Sequence, residues 1–79
     1  MPAMPDRNIS LENRDGFDTV TSSNGEIKEV VIFDVLGKVL ARHCPNSNEF
    51  RLDRNDFDTR IIIVRVSTAS SSRSFKCIR

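Results

Sequence analysis

A chain of 79 residues makes at most one domain, near the lower limit for a core that holds without a disulfide, a metal or a partner. An apolar share of 38% against 29% charged residues is that of a folding chain and argues against wholesale disorder. Twelve Lys and Arg balance eleven Asp and Glu, so the net charge of +1 gives no case for a nucleic-acid or anionic-membrane partner, and no apolar run approaches the ~20 residues of a membrane span.

In chain order, residues 1–7, with Pro2 and Pro5, read as a loose leader, and residues 8–79 as the domain. Met1 to Asp6 has no basic start followed by an apolar stretch, so it is not an export signal. Two readings follow: a cytoplasmic protein that starts at Met1, or the tail of a longer protein whose signal lies upstream. Ile9 to Glu12 is a short strand closed by Asn13-Arg14-Asp15-Gly16. Phe17 to Thr21 alternates Phe17, Thr19 and Thr21 against Asp18 and Val20, and Ser22-Ser23-Asn24-Gly25 ends it. Ile27 to Asp34 is a third strand and Lys38 to His43 a fourth, followed by a loop over Cys44 to Asn48. Phe50 and Leu52 alternate with Arg51 and Asp53 in a fifth. Ile61 to Val66 is the sixth and most apolar; after the polar connector Ser67 to Ser72, Phe75 to Ile78 is the last. Seven short strands at this spacing are what an all-β, two-sheet sandwich requires. Val30 to Phe33 and Ile61 to Val66, apolar on both faces, are expected at its centre.

A helix over Glu26 to Arg42 is the competing reading, because Ile27, Val30, Val31 and Leu40 share parts of one stripe. Val30-Val31-Ile32-Phe33 opposes it, since β-branched and aromatic side chains lose χ1 freedom in a helix. Gly37 in mid-helix costs ~1 kcal/mol. In a hairpin, by contrast, Asp34 bonds the backbone of the turn and Gly37 takes positive φ without strain. The hairpin is preferred.

Residues able to do chemistry are few: one histidine, no Ser-His-acid spacing and no Gly-rich phosphate loop. No enzyme activity and no cofactor are expected. Cys44 and Cys77 are the only cysteines, and with only His43 beside them a zinc site has little support. They form a bridge if the compartment oxidises and their Cα atoms come within about 7 Å; otherwise they are two unpaired thiols, Cys77 acting as a small apolar strand residue. Asp53, Asn55, Asp56 and Asp58 hint at calcium by their spacing. However, Asp58 and Val64 stand where a calcium loop has its sixth-position Gly and twelfth-position Glu, so a polar loop is the simpler reading and no metal is expected. Arg51, Arg54, Arg60, Arg65, Arg73, Lys76 and Arg79 are interspersed with acids, as on a solvated face, and lack the excess charge of a nucleic-acid groove.

From residue 26 onward the order of features resembles a known family. Glu26 to Leu40, with Ile27, Val30, Ile32, Phe33, Asp34, Gly37, Lys38 and Leu40, looks like the segment I-x-x-V-x-I-Y-D-x-x-G-K-x-V of the C-terminal sorting domains of the type IX (Por) secretion system of Bacteroidetes. Phe50-Arg51-Leu52-Asp53 is similar to that family's I-x-L-S strand, Ile61 to Val66 to its G-I-Y-I-V-K-V strand, and Ser74 to Arg79 to its basic, apolar last strand. Arg60 stands at the family's Gly, Ile62 at its Tyr, and Pro5-Asp6-Arg7-Asn8 in place of a Y-P-N-P entry. The resemblance implies a small Ig-like seven-stranded antiparallel β-sandwich at the end of a larger exported protein. Its partners would be the outer-membrane secretion machinery and an upstream passenger, and its destination, by way of the periplasm, secretion or the cell surface. By position it implies recognition through Gly37 and Lys38 at the turn, Val64, Arg65 and Val66 on the sixth strand, and Lys76 near the end. Each also has a plain structural role: turn glycine, core valines, solvated charges. An Ig-like adhesive domain that binds a protein through a strand edge, with no sorting role, is the alternative.

Overall fold

The computed structural model describes residues 8–23 and 25–78; the leader at 1–7 lies outside them. All seven expected strands form: β1 (Ile9–Arg14), β2 (Phe17–Ser22), β3 (Glu29–Phe33), β4 (Val39–His43), β5 (Glu49–Asp53), β6 (Ile61–Ser67) and β7 (Ser72–Ile78). A 3-10 turn, Arg54–Asp56, follows β5. The strands make two antiparallel sheets, ordered β1-β2-β5 and β4-β3-β6-β7, which close as a small β-sandwich.

Local chemistry sets the hairpins. Arg14 pairs with Phe17 across the two-residue loop Asp15-Gly16, and both loop residues have positive φ (55° and 83°), the geometry whose twist matches the flanking strands. At the β3–β4 turn the Asp34 carboxylate accepts from the backbone N–H of Leu36 and of Lys38, each at 2.9 Å. The Asp34 N–H donates to the Lys38 carbonyl (2.9 Å), and Gly37 takes φ 88°. This is the hairpin read from the sequence, with no helix over 26–42. Because its loop is short, β4 must lie beside β3, which places β4 in the larger sheet. The polar connector is shorter than its composition suggests: Ser67 pairs with Ser72, leaving Thr68–Ser71 as a four-residue loop in which the Thr68 hydroxyl receives the Ser71 N–H at 3.2 Å.

The core lies between the sheets. Ile9, Val20 and Leu52 come from the smaller sheet and Val30, Ile32, Ile62, Val64, Val66 and Cys77 from the larger, with Ile27 entering beside β3. Each such aliphatic contributes about 1.5–3 kcal/mol by leaving water. The expected central strands, β3 and β6, are the two inner strands of the four-stranded sheet. One side of the sandwich is tied by the Arg73 guanidinium, which donates to the Ile9 carbonyl at 2.6 Å. The other is filled by half-buried Leu40, Ala41, Phe50 and Phe57, with the His43 and Phe50 rings 5.0 Å apart.

Strand β2 departs from the simplest reading of its alternation. Its aromatic residue, Phe17, is on the outer face, and Asp18, Val20 and Ser22 point inward. A carboxylate takes a core position there because the fold brings it two donors. Asn13 Nδ2 lies 2.8 Å from Oδ1, and Arg54 Nη1 3.2 Å from Oδ2.

Candidate functional site

Side chains alternate across a strand, so β6 divides its residues by parity. Ile62, Val64 and Val66 enter the core, while Ile61, Ile63 and Arg65 line the outer face of the larger sheet. Register puts Phe33 opposite both Val39 and Ile63, and Ile63 opposite Lys76, so Val39, Phe33, Ile63 and Lys76 form one row across all four strands. The next row holds Arg42, Val31, Arg65 and Ser74, with the Arg65 guanidinium 5.3 Å from the Phe33 ring centroid. Arg42 is engaged with Glu29 at 3.5 Å.

Of the six residues suggested for recognition, Arg65 and Lys76 therefore share one exposed face. Gly37 and Lys38 sit in the exposed turn at the end of that sheet where Phe33 finishes β3. Val64 and Val66 are fully buried. They hold the sandwich together and offer nothing to an external partner while it is folded.

The Cys44–Cys77 bridge is a correction. Both thiols are free, Cys44 exposed and Cys77 buried. Cys44 follows β4 and Cys77 lies on β7, the two outer strands of the four-stranded sheet. Three strand spacings of ~4.8 Å separate those strands, roughly twice the Cα separation a disulfide accepts. The oxygen-rich stretch after β5 is a turn: Asp53 Oδ1 accepts from the Asn55 N–H at 2.8 Å, capping the 3-10 turn. Among the described residues no three His, Cys, Asp or Glu side chains converge as metal ligands. A shallow hollow between the β3–β4 hairpin and the loop after the 3-10 turn is floored by Leu40 and Phe57 and rimmed by Asp34, Asp56 and Asp58.

Sequence reasoning missed the buried Asp18–Arg54–Asn13 cluster. Arg54 was grouped with the solvated cations, yet its side chain is 11% exposed and its Nη2 is buried with no partner. The available signal was Asp18 itself, an acid at an inward position that demands a donor. Cys77 borders this cluster. Burial pushes its thiol pKa up and the Asp18 carboxylate pushes the same way, while the Arg54 guanidinium opposes them. The thiol is thereby held protonated and is a poor nucleophile.

Residues 3–78 match the model of a family described as a domain of unknown function (DUF8694), and the chain belongs to that family. No curated protein matches the chain.

Proposed function

We propose that this member of the family is a non-catalytic recognition module, and that it serves as a sorting domain that directs an exported protein through the type IX secretion system to the cell surface. The observation that carries the reading is the placement of the motif residues. Gly37 and Lys38 stand at an exposed hairpin, and Arg65 and Lys76 on the adjoining exposed sheet face, on a frame held by the alternate residues of the same strands. A folded surface of this kind is read by a partner without catalytic groups. The strand order supports an Ig-like assignment. It has the three-plus-four arrangement of that class, with the fourth strand paired to the third instead of the fifth.

Placing the full chain behind a signal peptide and a reporter in a Bacteroidetes host with an active type IX system tests the role. Surface delivery of the reporter is expected. A soluble, folded fusion retained in the periplasm overturns it. A second reading, an Ig-like adhesive domain without a sorting role, is favoured by the apolar residues exposed on the same sheet, which give a protein partner something to bury. It is the reading left standing if sorting fails while binding persists.

A further inference from the structure

The four large apolar residues that the described part of the chain leaves exposed gather at one end of the four-stranded sheet. Val35 (58%) and Leu36 (89%) form the tip of the β3–β4 hairpin, Val39 (47%) opens β4, and Ile78 (63%) closes β7. Val39 and Ile78 flank half-buried Phe33 and Ile63 on the outer face, joined through the cross-strand pairs Val39–Phe33–Ile63 and Ile61–Ile78. Single exposed apolar residues need no explanation, but a contiguous set across four strands marks an interaction surface. Its border on β6 and β7 is cationic, while the hairpin tip lies beside Asp34, Asp56 and Asp58. Lys76 ends the apolar row and Arg65 stands in the next, and neither belongs to any of the four ion pairs among the described residues. The carboxylates of β3 and its turn are already engaged: Glu29 by Arg42, and Asp34 by two backbone N–H groups of its own turn.

We infer that the outer face of the β4-β3-β6-β7 sheet, centred on Phe33 and Ile63, docks a protein surface whose apolar centre is bordered by carboxylates. Charge selects this occupant. A second copy packed face to face brings the same two unpaired cations, while Glu29 and Asp34 beside its patch are already engaged and leave those cations without a partner. An anionic bilayer is a plane, and laid on this face it also reaches the hairpin tip beside the carboxylates of Asp34, Asp56 and Asp58, whereas a protein surface can end short of that tip. An acidic, apolar protein surface satisfies both the patch and its border. The inference is independent of sorting, because either a secretion component or an adhesive ligand can present such a surface.

The test uses the full chain, labelled with nitrogen-15. It is titrated at low salt with a short peptide of alternating glutamate and valine, with the lysine–valine counterpart, and with phosphatidylglycerol vesicles. Expected are amide shifts confined to residues 33, 39, 61, 63, 65, 76 and 78, with the acidic peptide binding about fivefold or more tighter than the basic one. Ile78→Ser weakens acidic-peptide binding severalfold while leaving the remaining spectrum folded. The pair Arg65→Glu and Lys76→Glu reverses the peptide preference. Equal binding of the two peptides, shifts mapping to the free edge of β7 instead of the face, vesicle binding without peptide preference, or concentration-dependent self-association through these residues each overturns the inference. The sorting reading is unaffected by any of these outcomes, since reporter delivery is measured separately.

Discussion

Replacing Arg54 by Met leaves the Asp18 carboxylate in the core with Asn13 as its one remaining side-chain donor among the described residues. Asp18 is fully buried, and the Arg54 side chain covering it is itself only 11% exposed, so water does not readily replace the lost guanidinium. Breaking a buried pair from one side costs about 3–5 kcal/mol. At roughly 0.05–0.15 kcal/mol per residue, a chain of this length has about 4–12 kcal/mol in total. Arg54→Met therefore removes between about a quarter and all of the stability. Asp18→Leu is milder, because the long Arg54 side chain can swing its head group to solvent while its stem stays packed. The double variant Asp18→Leu/Arg54→Met recovers most of the loss, since an apolar pair of similar volume is often as stable as the ion pair it replaces. Urea unfolding of all four proteins gives the coupling energy directly. An Arg54→Met loss below about 1 kcal/mol is what an exposed pair gives, and it refutes the assignment of a buried ion pair to this end of the sandwich.

Other substitutions test other parts of the frame. Ile62→Asp and Val64→Asp both abolish cooperative unfolding, because each puts an unpaired carboxylate at a fully packed position; Ile63→Asp, on the outer face, leaves a folded protein by circular dichroism. Gly37→Ala costs about 1–2 kcal/mol in thermal or urea unfolding, all of it from the φ of 88°, since a Cβ there meets open space. An aromatic disulfide reagent modifies Cys44 within mixing time and Cys77 only at the rate of opening, so one fast and one slow equivalent are expected under native conditions. Because the folded state raises the Cys77 pKa, its contribution is fully present below the ordinary thiol value of 9.0 and is lost as pH rises through the folded value. A decline in stability that sets in above 9.0 and is weaker in Cys77→Val checks the sign.

Sequence legibility differed between local and distant interactions. Asp34 and Gly37 announce their turn because the groups they satisfy lie within four residues, and that turn alone places β4 against β3. The inner position of β3 and β6 follows from apolar residues on both faces. The same doubling hides which face is which: Ile61-Ile62-Ile63 has no alternation to read, and only the strand pairing assigns Ile62 to the core. On β2 the apolar rule fails. Phe17 is the largest apolar side chain of the strand, yet it faces outward and receives the Arg51 guanidinium 4.6 Å from its ring centroid, while Asp18 goes inside. That inversion depends on Arg54, 36 positions away, which no local pattern connects to Asp18.

The same separation of local from distant bears on how a chain this small presents a binding face at all. A 79-residue sandwich has little apolar surface to spare, and every apolar side chain on the outside is one the core does not use. β6 resolves the conflict by being apolar on both faces, so that Val64 and Val66 stabilise the fold while Ile63 and Arg65, one position out of phase, remain available. A one-residue slip of β6 against β3 would exchange the two sets and bury Arg65 where Val64 now sits. The cation between two core valines therefore does two things: it marks the outer face for a partner, and it makes the alternative register prohibitively costly. Arg65→Val is expected to preserve or raise stability while weakening both the selectivity for an acidic partner and the uniqueness of the register. The register shows as broadened or doubled amide signals along β6 and β7, and sharp single signals in that variant would show that the neighbouring hairpin fixes the register without Arg65.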